Sequence, residues 1–154
     1  MRGLSALGFT ANQRAVKARA YHSIAQSVAD VTLTALALDS ERRDTDTIHD
    51  TVTNNTRLTC KTAGQYAIAG GVRFASNATG FRQVSLRLNG TVYLATQAFP
   101  AVSGAVTQVG VATLEDLVVG DYLELVVYQS SGGALNVEAF PNASPELAMT
   151  RVGP

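Results

Sequence analysis

The chain of 154 residues has no tryptophan, one cysteine and two histidines, and each shortage removes a class of explanation. A lone cysteine cannot close an internal disulfide, so a core must hold the fold. Cys60 alternates with Leu58, against Thr59 and Lys61, and reads as a small buried hydrophobe. Thiol catalysis would need a base and an electropositive setting that nothing near it supplies. The two histidines, His22 and His49, stand too far apart for the His-x-His pair of cupin-type metal sites. No Gly-x-Ser-x-Gly elbow accompanies them. The 12 basic and 12 acidic residues cancel, which leaves no global field toward nucleic acid or anionic membrane. Stacking on single strands would need exposed rings beside a basic groove, and the acidic remainder of the chain offers none. No stretch approaches the ~20 apolar residues of a membrane span. The Gly-broken run Leu4 to Phe9 is too short for a signal peptide, so use without secretion is expected. These absences predict a non-enzyme without cofactor, with no nucleic-acid and no membrane partner.

What is present is period-two alternation, in a chain that is 46% hydrophobic. From about Tyr21 onward, short alternating runs are separated by Gly, Asn, Asp and Ser, the pattern of antiparallel sheet. In Arg82 to Leu88, Val84, Leu86 and Leu88 face one way while Gln83, Ser85 and Arg87 face the other. Asn89-Gly90 follows, a dipeptide that accepts the two positive φ angles of a tight hairpin. Thr107 to Leu117, then Val119-Gly120-Asp121, then Tyr122 to Gln129 reads as strand, turn, strand. In Gln65 to Ala75 the core set is Tyr66, Ile68, Val72 and Phe74, and the opposite set, Ala67, Ala69, Gly71 and Arg73, is unusually small, with Ala67, Ala69 and Gly71 uncharged. Thr32 to Leu38 changes phase between Leu33 and Leu36, which suggests a bulge. Arg57 to Lys61, Glu146 to Val152 and a strand around Tyr21-His22-Ser23-Ile24 complete a set that implies a sandwich or jelly roll.

Two clusters invite chemistry. Asp44-Thr45-Asp46 to His49-Asp50 puts carboxylates beside a histidine, as a divalent-cation site would, yet it lacks the Gly and distal Glu of a calcium loop. A polar loop whose carboxylates accept backbone N–H bonds or pair with Arg42 and Arg43 explains the same residues. Gly70-Gly71 and Ser130-Ser131-Gly132-Gly133 open no helix and precede no Gly-Lys-Ser/Thr, so close packing and a hairpin loop account for them.

Residues 1–19 break the β pattern. They combine Arg2, Arg14, Lys17 and Arg19 with Leu4, Leu7 and Phe9, as a docking arm would, ahead of a jelly-roll domain over 20–154.

The order of three pieces resembles the tumour-necrosis-factor and complement globular-head superfamily (TNF/C1q-like). They are Thr62-Ala63-Gly64-Gln65-Tyr66, then Val84 to Gly90 through Asn89, then Leu117-Val118-Val119-Gly120-Asp121-Tyr122. Segments such as Asn77-Ala78-Thr79-Gly80-Phe81-Arg82 and Ser131-Gly132-Gly133-Ala134-Leu135-Asn136-Val137 are similar to globular heads of phage virions. The last strand, Leu147 to Val152, departs from the aromatic-rich strand that superfamily often carries. The resemblance implies an all-β, antiparallel ten-strand jelly-roll sandwich and a homotrimer. Tyr21, Ala67, Ala69 and Gly71 are the expected trimer-interface residues. Such heads are virion parts, and a basic, partly apolar arm without coiled-coil or repetitive stalk sequence favours a place on the capsid surface of a virion made in the host cytoplasm. The arm residues would bind the major capsid protein there, as a decoration protein does. The alternative is a receptor-binding head of a tail fibre, contacting its target through Ser76 to Gly80 and Ser130 to Ala134.

Overall fold

Alternation is converted into two layers, the long central strands turning their apolar sets toward the other sheet. The computed structural model describes residues 15–154, which form twelve strands. They are β1 (Lys17–Tyr21), β2 (Gln26–Val28), β3 (Thr34–Ala35), β4 (Ser40–Asp44), β5 (Arg57–Thr59) and β6 (Gly64–Phe74). The rest are β7 (Phe81–Leu88), β8 (Val92–Pro100), β9 (Thr107–Leu117), β10 (Tyr122–Gln129), β11 (Leu135–Val137) and β12 (Glu146–Arg151). One sheet has seven strands, with β6 flanked by β9 on one side and by β12 and β11 on the other; β12 leads to β1 and β4, β11 to β2. The second sheet has five, with β10 between β7 and the short β3 and β5, and β8 beyond β7.

The strands number twelve where ten were expected, and four of them, β2, β3, β5 and β11, are only two or three residues long. The phase change in Thr32 to Leu38 is present: Leu33 is exposed while Leu36 and Leu38 are buried. Only Thr34–Ala35 joins a ladder there, so a two-residue strand replaces the bulged one expected. The strand around Tyr21-His22-Ser23-Ile24 stops at Tyr21, since Asp39 Oδ1 accepts the Ser23 N–H and draws the chain into a turn. The jelly-roll boundary also moves forward. β1 begins at Lys17 because Ala18 and Ala20 are buried and pair with Met149 and Leu147, so Lys17 and Arg19 belong to the sheet.

The core between the sheets includes Tyr66, Ile68, Val72, Phe74, Val84, Leu86, Leu123 and Leu125, all essentially without solvent contact. Each such side chain contributes about 1.5–3 kcal/mol on leaving water. Gly70 faces inward opposite Leu125; a Cβ there would stand 2.5 Å from Leu125 Cδ1, so a side chain would overpack the centre. The Asn89-Gly90 hairpin has φ values of 50° and 74°. The Asn89 side chain receives the Tyr122 N–H and donates to Asp121, locking this turn to the Gly120-Asp121 turn at one end of the sandwich.

Candidate functional site

Parity along β6 turns Ala67, Ala69 and Gly71 away from the core, and register extends that small-residue surface onto both neighbours. Ala69 lies between Ala148 of β12 and Ala112 of β9, and Gly71 between Glu146 and Gly110. The same face continues through β1, where Lys17, Arg19 and Tyr21 alternate with buried Ala18 and Ala20. Tyr21, Ala67, Ala69 and Gly71 therefore share one surface, joined by Lys17 and Arg19. Arg2, Leu4, Leu7, Phe9 and Arg14 lie outside the described residues.

Glu146 anchors the β1 side of this face and is nearly buried. Arg19 Nη2 donates to its Oε2 at 2.9 Å and Arg42 Nε to its Oε1 at 2.7 Å. Arg42 also lies 4.3 Å over the Tyr21 ring. A register shift between β1 and β4 makes this possible: Arg19 faces Arg43 while Ala20 faces Glu41, leaving Arg42 as the extra residue of a bulge. Two basic side chains in succession thus reach the same surface. On the opposite edge, β9 presents exposed Leu114 and Asp116. The two edges differ in charge, basic at β1 and β4, acidic at β9.

Alternation already implied Ala112 and Ala148, since both lie in runs of regular phase. Glu146 and Arg42 carried no such signal, because their pairing spans 104 positions and depends on a bulge.

The other candidates have structural roles. In the Asp44 to Asp50 loop, Asp44 accepts the Asp46 and His49 N–H groups, and Asp50 those of Val52 and Thr53. These two N–H bonds hold the exposed Asp50 carboxyl below its ordinary range. The buried His49 ring meets Glu41 at 3.0 Å and the Asn55 carbonyl at 3.3 Å. Among the described residues no three His, Cys, Asp or Glu side chains converge as metal ligands. His22 meets the Ile24 carbonyl at 2.8 Å, and Ser23 donates to Asp39, leaving the ring without a hydroxyl to activate. Cys60 is buried, which pushes its thiol pKa up and away from thiolate chemistry. No helix among the described residues is long and apolar enough to cross a membrane.

No protein-family model and no curated protein sequence matches this chain. Solved structures do. Murine APRIL superposes with a TM-score of 0.67 at 14% identity, over 90% of this chain and 100% of that one. Eiger TNF from S. frugiperda superposes with a TM-score of 0.68 at 14% identity, over 90% of this chain and 93% of that one. The fold is the TNF/C1q-like jelly roll. At such identity the likeness is one of architecture.

Proposed function

We propose that the chain is a non-catalytic assembly protein whose three copies pack through the outward face of the seven-stranded sheet, and that the trimer decorates a phage capsid. The observation that carries assembly is the uncharged strip of Ala67, Ala69, Gly71, Gly110, Ala112 and Ala148 between edges of opposite sign. Small side chains let backbones approach closely, and burying apolar surface contributes ~25 cal/mol per Å². A threefold ring needs two different surfaces to meet, and the β9 edge with Leu114 and Asp116 complements the basic β1–β4 edge of the next copy.

Support for the capsid comes from the sequence resemblance to virion heads and from the basic, partly apolar residues 1–14. Three such segments per trimer would add weak contacts to the major capsid protein into durable attachment. The test is light scattering followed by co-sedimentation with undecorated capsids. A mass three times the 16.1 kDa of one chain, with sedimentation that needs residues 1–14, is expected. The deletion stops at residue 14 because removal through Arg19 would also take Lys17, Ala18 and Arg19 of β1. A monomer would overturn the assembly reading, and a trimer that ignores capsids would overturn decoration.

A receptor-binding head is the second reading. It is favoured by the meeting of Ser76 to Gly80 with Ser130 to Ala134 at one end of the sandwich, where Ser130 Oγ accepts the Phe81 N–H at 3.1 Å.

A further inference from the structure

Arg82 is the one fully buried cation of the described residues, and it has no carboxylate partner within 4.0 Å there. It sits on the inward face of β7 beside Val84 and Leu86 and reaches the end of the sandwich. Its Nη1 donates to the carbonyls of Thr79 at 2.9 Å and Phe81 at 3.0 Å, and its Nη2 to that of Asn77 at 3.1 Å. Its Nε has no acceptor. Burial pulls the Arg82 pKa down and Asp30 pushes it partly back, but a guanidinium stays charged in a protein. Asp30 does not cancel that charge by contact, since its Oδ1 accepts the Gly132 N–H.

The orientation of the loop follows from peptide geometry. In a trans peptide the C=O and the next N–H point in opposite directions. The Asn77 and Thr79 carbonyls point inward at the guanidinium, so the Ala78 and Gly80 N–H groups point outward. Both residues are exposed, and neither N–H has an acceptor among the described residues. The N–H between them, of Thr79, is taken by Asn77 Oδ1 at 2.8 Å. Two free amide dipoles thus share one side of the loop with a buried positive charge behind them, an arrangement that attracts an anion. The loop is held rigidly: a Cβ on Gly80, at φ +70°, would meet the Ser130 carbonyl oxygen.

The residue after Gly80 is Phe81, exposed and stacked on Tyr128 with ring centroids 5.3 Å apart at 26°. The stack fixes the Phe81 ring as a platform whose electron-rich face suits the C–H face of a pyranose. We infer that the Ala78–Gly80 loop and the Phe81 platform form a binding site for an acidic saccharide, carboxylate on the two amides and sugar ring on Phe81. The site lies at the end of the sandwich, away from the small-residue face, and does not depend on how the trimer is attached.

The test is amide-resolved NMR of the intact protein titrated with glucuronate, glucose, acetate and an oligo-glutamate peptide. Glucuronate should shift the Ala78 and Gly80 amides and bind about tenfold more tightly than glucose or acetate, the weight of one charge-assisted contact or one stacked ring. Phe81→Ala should remove about tenfold of glucuronate affinity while leaving acetate binding unchanged. Acetate equal to glucuronate would reduce the site to a bare anion hole and overturn the saccharide. Oligo-glutamate equal to glucuronate would transfer the site to acidic protein, and shifts confined to other residues would remove the site altogether. The wild-type titrations stand even if the variant fails to fold.

Discussion

The two sheets obey one rule inward and opposite rules outward. Inward, the seven-stranded sheet presents Val, Leu, Ile, Tyr and Phe side chains and the five-stranded sheet Val and Leu to a shared core. Outward, the seven-stranded sheet shows Ala67, Ala69, Gly71, Gly110, Ala112 and Ala148, whereas the five-stranded sheet shows Gln83, Ser85, Arg87, Glu124 and Tyr128. There Glu124, only 5% exposed, accepts from Arg87 at 2.8 and 3.1 Å and from the Thr56 hydroxyl at 3.0 Å. Arg57 approaches the same carboxylate and lies 4.0 Å over the Tyr122 ring. Ser85 and Thr96 hydroxyls meet beside it at 2.9 Å. The five-stranded sheet has satisfied its outer polar groups within one chain. The seven-stranded sheet has a smooth strip of small residues, the surface through which the proposed assembly would form.

The largest expected effect breaks this contrast directly. Ala69→Arg, at the centre of the strip, should abolish the trimer, since an unpaired charge at a covered interface costs several kcal/mol. Light scattering should then give the single-chain mass with an unchanged far-UV spectrum; a persisting trimer would locate the interface elsewhere. Next, Glu124→Ala should lower stability by about 3 kcal/mol, because two guanidinium groups lose their shared carboxylate. The trimer mass should not change. Denaturant unfolding measures the first quantity, and a loss below about 1 kcal/mol would mean that solvent already screens the cluster.

A smaller change, Ser85→Ala, should cost about 1 kcal/mol by removing the buried Ser85 hydroxyl and its bonds with Thr96 and Gln83, again without altering the mass. The smallest effect is one of pH. Burial alone would raise the Asp39 carboxyl, but hydrogen bonds from the Ser23 hydroxyl and N–H and from Ser40 outweigh it and hold the group below its ordinary range. Asp50 is lowered likewise. Groups depressed in the folded state contribute stability above the ordinary carboxylate pKa, and that contribution is lost as pH falls through the folded value. Melting temperature should therefore hold near neutrality and decline below about pH 4. Asp39→Asn should flatten part of that decline, by less than about 1 kcal/mol at this partly exposed site. An identical acid profile in the variant would exclude Asp39 from it.

Much of this was written in alternation. The core positions of β6, β7 and β10, the Asn89-Gly90 turn and the small outward set Ala67, Ala69 and Gly71 follow from period two and from φ preference, which act locally. Residues joined by distant segments did not follow. Glu146 looks like an ordinary strand-opening acid until β4, with its bulge, brings Arg42 beside it. Arg82 shares the parity of Val84, Leu86 and Leu88, so alternation already turns it inward, but nothing local says that its guanidinium organises a loop there. Its neighbours are named only when β7 meets the sandwich end. The polar loop at Asp44 to Asp50 was legible as a loop, but its burial of His49 against Glu41 was not.

The sequence by itself determined that this chain is a β sandwich, which residues fill it and which strand keeps a bare outer face, because side-chain direction in a strand depends only on parity. The tertiary structure decided which strands stand beside that face, which charges flank it and where a buried arginine aims its loop. Those outcomes depend on register and bulges between segments far apart in the chain, and no local preference specifies them.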